Sequence, residues 1–281
     1  MTSTVKATLI GGTAVLMWAT LALFTTLTGK VPPFLLVALA FAVASAMIAV
    51  KWAYYRQNPL AYLRQAWPVW LLGVGGLFGY HFFYFLALRN APPVEAGLIA
   101  YLWPLLIVIF SALLPGERLR WWHLAGALAG LAGAALLVTN GGAVAFRADY
   151  ALGYLAALAC AFTWSGYSVL SRFVKSVPTD TVGGFCAASA VLGLVCHLIF
   201  EDTVLPGSAL EWLAVLGLGL GPVGLAFFTW DHGVKHGDIK ALGAASYAAP
   251  LLSTMIVGGA VLAAKDMFAR ESVLPDITEK P

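Results

Sequence analysis

Five short clusters carry most of the polar chemistry in the apolar part of this chain. They are Trp18 with Ala22 and Thr25; Tyr80, His81 and Tyr84; Tyr101, Trp103 and Pro104; Trp164, Tyr167, Ser168 and Ser171; and Ser246, Tyr247, Pro250 and Thr254. Spacings of three, four and seven residues put Trp164, Tyr167, Ser168 and Ser171 on one face of a helix, and Tyr80 with Tyr84 on another, with His81 on an adjoining face. Such a set has a definite chemistry. Each Tyr or Trp offers a broad apolar ring with one O–H or N–H at its edge, suited to stacking on a flat group and hydrogen-bonding a small polar head. The clusters do not supply a nucleophile with its base. HExxH, GxSxG, P-loop and Cys/His metal spacings are all missing from the sequence, so neither an enzyme, a cofactor nor a bound metal is expected.

Pro104 and Pro250 act differently. A proline inside a helix has no N–H for the carbonyl four residues earlier and bends the helix there. The carbonyls of Ala100 and Ser246 are therefore expected to be freed, with Pro104 and Pro250 as hinges. Freed carbonyls at membrane depth are tolerated where they face protein or a water-filled cavity. Tyr101, Trp103 and Pro104 sit near the middle of AGLIAYLWPLLIVIF (96–110), whereas membrane aromatics ordinarily collect at the water interface.

The elements that position these clusters are membrane helices. The 281 residues are 61% hydrophobic and only 10% charged, with a mean hydropathy of +0.87, where soluble domains carry roughly 25% charged residues. Apolar runs of span length follow one another at about 8–28, 33–53, 68–88, 94–114, 121–139, 151–171, 181–199, 211–230 and 240–255, with a remnant at 256–264. The N-terminal run has one lysine before it and no small-residue cleavage site, so it reads as a first span. Cys160, Cys186 and Cys196 lie in apolar segments as small packing residues. Glu95, Glu117, Asp231 and Asp238 fall at or beyond span ends and read as solvated charges. With no carboxylate inside a span, nothing in the sequence argues for proton antiport. His123 and His197 near helix ends read as packing residues; His81, at mid-span, needs a partner or water and is the candidate for a functional or proton-linked role.

A shift of 146 positions lays the chain on itself. Trp18 then falls on Trp164, Gly73 on Gly219, Arg89 on Lys235, Tyr101 on Tyr247 and Pro104 on Pro250. This predicts an all-α polytopic membrane protein with ten transmembrane helices in two five-helix repeats, residues 1–142 and 151–265, joined by a loop at 143–150 and followed by a cytoplasmic tail at 266–281. An odd number of helices per repeat makes the second copy enter from the opposite face, giving an inverted repeat. After Met255 the register breaks: VGGAVLA (257–263) fits AGAALL (132–137) at a shift of 126, as though about 20 residues were missing between Met255 and Ile256. With the N-terminus in the cytoplasm, 13 of the 16 Lys and Arg lie on the inner side, which places both ends there.

The half-repeat pattern, the ALRNAPPVEAG stretch leading into AYLWPLL, and the repeated SYAAPLL resemble the EamA branch of the drug/metabolite transporter superfamily. YLWP (101–104) with the aromatic-rich third span is similar to the bacterial aromatic amino-acid exporters of that branch, the YddG type. The resemblance implies a bacterial inner-membrane exporter with a central cavity, working by alternating access on aromatic and other neutral amino acids. The candidate substrate contacts are Trp18, Tyr80, His81, Tyr84, Tyr101, Trp103, Trp164, Tyr167, Ser168, Ser246 and Tyr247. The partners expected are a small-molecule substrate and the lipid bilayer, with no nucleic acid, and the chain is read as a monomer. A broad metabolite or drug exporter stays open, as do, more remotely, an intramembrane enzyme built on Ser165, Ser168 and His81 and a passive channel.

Overall fold

A computed structural model describes residues 2–270, with side chains through residue 259. Its long helical stretches are α1 (Ser3–Leu27), α2 (Pro33–Tyr54), α3 (Trp67–Asn90), α4 (Pro93–Leu113), α5 (Trp121–Thr139), α6 (Ala151–Leu170), α7 (Val182–Phe200), α8 (Ala209–His236) and α9 (Ile239–Ala245 continuing as Ala248–Arg270), with one five-residue helix, Pro59–Leu63, between α2 and α3. Among the described residues, eight helical stretches are long and apolar enough to cross a membrane. The remaining one, α6, has 20 residues and packs against α3 and α4.

Local chemistry sets the helix boundaries. Pro33, Pro68 and Pro93 occupy first-turn positions, where a missing N–H costs nothing. Side-chain oxygens of Thr2, Ser208 and Asp238 accept orphan N–H groups at the starts of α1, α8 and α9. Asn140 closes α5 in the left-handed conformation, φ 50°. Large apolar side chains such as Leu16, Leu71, Leu155 and Leu198 are exposed on the outside of the bundle, the pattern of helices solvated by lipid.

Small residues at the crossings bring the helices together. The principal pairs are α3 with α6, α1 with α8, and α2 with α7. A shift of 146 exchanges the first two pairs and maps the third onto itself. The contact residues follow the same rule. Gly11 of α1 meets Gly233 of α8, and their counterparts Ala157 of α6 and Ala87 of α3 share one buried cluster.

Two helices are broken near mid-length at equivalent places. α4 is interrupted at Tyr101–Leu102 and α9 at Ser246–Tyr247, three or so residues before Pro104 and Pro250. The Ser246 carbonyl does not stay free: the N–H of Ala249 donates to it at 3.1 Å. In α8 a π-turn spans Gly221–Leu225 around Pro222, the kind of widened turn that redirects backbone groups.

The structure corrects two expectations. The helix of α9 runs without interruption from Ala248 to Arg270, through Met255 and Ile256. The chain is continuous at the point where a missing segment was expected, and among the described residues the second half has four long helical stretches against five in the first. Nothing after Pro250 in this stretch stops a helix, so what remains of two spans forms one. The second correction concerns charge. α8 continues past residue 230 to His236, which places Asp231 and Lys235 inside the helix at 1% and 3% exposure. Neither is a solvated loop charge. Of the tail expected at 266–281, residues 271–281 lie outside the described residues.

Candidate functional site

A cavity of about 610 Å³ lies at the centre of the bundle. Thr28, Gly29 and Val31 from the α1–α2 connection, with Pro33 at the start of α2, Leu88 in the last turn of α3 and Gly97 in the first turns of α4, form its mouth. Among the described residues, no Asp, Glu, Lys or Arg lines it. Its inner wall is aromatic.

Four tryptophans make that wall one unit. Trp18, Trp103, Trp164 and Trp230 have ring centroids 5.0 to 6.4 Å apart, mostly edge to face or tilted, the arrangement that aromatic quadrupoles favour. Tyr80 packs on Trp164 at 5.6 Å and stacks parallel to Tyr84 at 6.1 Å. Phe41, His81 and Phe227 close the side towards α2 and α8, with centroids 5.3 to 6.2 Å apart.

The polar tips fall into two groups. The Trp18 N–H donates to the Pro222 carbonyl at 3.1 Å, a group that the π-turn aims at it. The Ser168 hydroxyl donates to the Trp164 carbonyl at 2.8 Å and accepts the Trp230 N–H at 3.0 Å. Ser246 donates to the Leu242 carbonyl, and Tyr167 reaches Asp231 at 3.4 Å. Tyr167, Ser168 and Tyr247 are buried and do not line the cavity; Trp18 and Ser246 line it with their N–H or hydroxyl already engaged. By contrast, Trp103, Trp164, Tyr84 and Tyr101 line the cavity and keep their N–H or O–H available to it. At His81 the nearest partner of Nδ1 is the Leu77 carbonyl at 2.7 Å. A carbonyl only accepts, so Nδ1 carries the proton in the neutral ring and Nε2 remains as an acceptor.

Tyr247 has a distinct job. Its hydroxyl accepts the Leu105 N–H at 3.2 Å and donates to the Tyr101 carbonyl at 3.0 Å. In an unbroken helix those two backbone groups would bond each other. The side chain of one half thus bridges the helix break in the other. Tyr247→Phe leaves both groups buried and unpaired, a cost of about 1–3 kcal/mol. At about 2–4 °C per kcal/mol for chains of this size, we expect a melting temperature several degrees lower in a fluorescence thermal scan, with the cavity side chains untouched.

The two ends of the bundle differ. At the end away from the mouth, Glu117 pairs with Arg172 at 3.6 Å and with Lys240, Arg172 donates to the Gly237 carbonyl at 2.7 Å, and Lys51 meets Asp180 at 2.7 Å. Asp231 and Lys235 pair there at 2.9 Å. At the mouth end, the buried Glu201 accepts the Phe34 and Leu35 N–H groups at the start of α2, with His197 Nδ1 at 3.0 Å and Arg89 at 3.6 Å. His123 lies outside the site and accepts the Arg120 N–H at the start of α5.

Sequence reasoning missed Trp230, which is fully buried at the centre of the tryptophan group. The signal was present: the shift of 146 lays Trp230 on Tyr84. It also missed Phe41 and Phe227, although the same shift lays Phe227 on His81.

Known proteins are similar to this chain along most of its length. The aromatic amino acid exporter YddG of Ancylobacter novellus is 59% identical over 253 residues, 90% of this chain and 88% of that protein. The aromatic amino acid exporter YddG of Escherichia coli is 25% identical over 265 residues, 89% of this chain and 87% of its own length. A crystal structure of a protein 58% identical superposes with a TM-score of 0.85 over 92% of this chain and 88% of the other. The EamA-like transporter family matches twice, at residues 6–139 and 151–265. With a central cavity in a bundle of apolar helices and those two matches across most of its length, the chain belongs to the EamA-like transporter family.

Proposed function

We propose that this protein exports aromatic and other neutral amino acids from the bacterial cytoplasm by alternating access. The observation that carries the reading is the inner wall of the cavity: clustered aromatic rings, unused N–H and O–H groups at their edges, and no charge. An amino-acid zwitterion is neutral overall, so its side chain can enter an apolar site without an ionic partner. Trp103, Trp164 and Trp18 stack on the cargo's ring; Tyr80, Tyr84, Tyr101 and the Nε2 of His81 hydrogen-bond its ammonium and carboxylate. Tyr167, Ser168, Ser246 and Tyr247 hold the wall in shape. Pro104 and Pro250 hinge α4 and α9 beside it.

The architecture behind this reading is an inverted repeat, residues 1–142 and 151–265. In its favour are the two separate family matches and the helix pairing that survives exchange of the halves. Up to residue 255, ten Lys and Arg gather at the closed end and three at the mouth end. By the positive-inside rule the closed end and the N-terminus face the cytoplasm and the cavity opens outward, in the inner membrane.

The test is uptake of labelled phenylalanine into proteoliposomes, with unlabelled competitors and with or without an imposed pH gradient. Tryptophan and tyrosine should compete best, leucine less, and lysine and aspartate hardly at all, because a net charge has no partner in the cavity and desolvation penalises it. Equal competition by lysine or aspartate would sink the assignment.

A further inference from the structure

The buried pair Asp231–Lys235 does not line the cavity, yet it is held at the closed end by several groups at once. Asp231 accepts from Lys235 at 2.9 Å and from the Thr179 hydroxyl at 2.8 Å, and the Tyr167 hydroxyl reaches it at 3.4 Å. Lys235 also donates to the Val177 carbonyl at 3.1 Å. Three separate segments therefore meet at one carboxylate: α8, α6, and the connection between α6 and α7. Burying two charges inside a membrane protein is expensive, and an apolar pair of the same shape would often be as stable. A structural role alone does not account for keeping them.

Their position supplies a reason. The ring of Tyr167 lies 5.2 Å from the ring of Trp164, and Trp164 lines the cavity. The carboxylate is thus one hydroxyl and one ring from whatever stacks on Trp164. Beside the pair is a void of about 10 Å³ bordered by Ser171, Val177 and Phe185, about the least space that admits one water. The internal duplication adds a contrast. The counterparts of Asp231, Lys235, Val177 and Thr179 at the mouth are Phe85, Arg89, Val31 and Pro33. The mouth keeps the cation, but Arg89 reaches Glu201 of α7 at 3.6 Å and not a carboxylate of its own helix, so among the described residues a buried pair four residues apart and joined to a tyrosine packed on the cavity wall exists at one end only.

We infer that Asp231 is a positioning residue of the transport cycle: through Tyr167, Thr179 and Lys235 it fastens the closed end and links that closure to the Trp164 wall of the cavity. The inference rests on the alternating-access reading. Opening this end requires Thr179 and Val177 to leave the pair, which exposes Ser171 and the adjoining void.

Two cysteine probes test it, in a background with Cys160, Cys186 and Cys196 replaced by alanine. Ser171→Cys reports on the closed end and Thr25→Cys on the mouth, each read as the rate of maleimide labelling in membranes. Two variants are compared with the parent. Tyr167→Phe removes a single hydroxyl, and Asp231→Asn combined with Lys235→Met removes both charges without stranding either. We expect at least tenfold faster labelling of Ser171→Cys in both, with labelling of Thr25→Cys slowed severalfold. Unchanged Ser171→Cys labelling would overturn the inference. So would faster labelling of both probes together, which signifies general loosening, and so would an effect confined to the double variant, since Tyr167 is the link to the cavity. A separate arm addresses the underlying reading: in the parent protein, phenylalanine should move the two labelling rates in opposite directions. If it moves neither, alternating access on that cargo fails, whatever the variants do.

Discussion

Trp164→Ala is expected to lower transport by at least 100-fold at equal expression, about 2.7 kcal/mol at 1.36 kcal/mol per decade. Trp164 touches more of the site than any other ring. It packs on Trp18, Tyr80, Trp103, Phe227 and Trp230, with centroids between 5.5 and 6.4 Å. Truncation therefore removes a stacking surface for cargo and empties the centre of the wall. Loss of a buried Trp side chain costs about 3–5 kcal/mol of packing, so folding has to be separated from function. Trp164→Phe does this. It keeps a ring and most of the contacts, gives up the free N–H, and should fold normally while transport falls about fivefold, in line with one hydrogen bond of about 1 kcal/mol. Proteoliposome uptake at matched reconstitution, with size-exclusion profiles of both variants, is the measurement. Full transport by Trp164→Ala would remove this wall from the mechanism.

Gly233→Leu is expected to abolish the folded protein. A Cβ on Gly233 would stand 2.5 Å from the Gly11 Cα and 3.1 Å from the Gly11 nitrogen. Both are backbone atoms, which cannot turn aside as a side chain can, so α1 and α8 must separate. Overpacking of this kind costs about 3 kcal/mol or more, and the bundle depends on this crossing because it carries Trp18 and Trp230 to the cavity. The control is one residue from the partner glycine. A Cβ on Gly12 meets no atom within 4 Å, so Gly12→Leu should extract from membranes as a sharp size-exclusion peak with an unshifted melting temperature. Gly233→Leu should give aggregate. A monodisperse Gly233→Leu protein of normal stability would show that the crossing tolerates separation.

These two residues illustrate what could be read in advance. Trp164 stood out because tryptophan at mid-span is rare and because Trp18 repeats it 146 positions earlier. Gly233 did not, since one glycine among 29 carries no mark of the helix it will touch. Asp231 was misplaced for a related reason. Hydropathy falls sharply at the DHGVKH stretch after Trp230, and a span read from hydropathy ends there; the helix continues because Lys235, Thr179 and Tyr167 satisfy the carboxylate inside the protein. The expected break at Met255–Ile256 came from the duplication, a property of ancestry. Helix continuity obeys only the local backbone, and no residue there interrupts it.

Composition, hydropathy and periodicity determined a bundle of membrane helices, most of their ends apart from those of α8 and α9, the breaks near Pro104 and Pro250, and the clusters of rings. All of these depend on near neighbours in the chain. The tertiary structure decided which polar tips are free. Tyr101 and Tyr247 are equivalent in the duplication, yet one opens on the cavity while the other is held between the Tyr101 carbonyl and the Leu105 N–H. Whether a buried donor is available depends on which acceptor lies within about 3 Å of it, and here that acceptor comes from a helix more than 140 residues away.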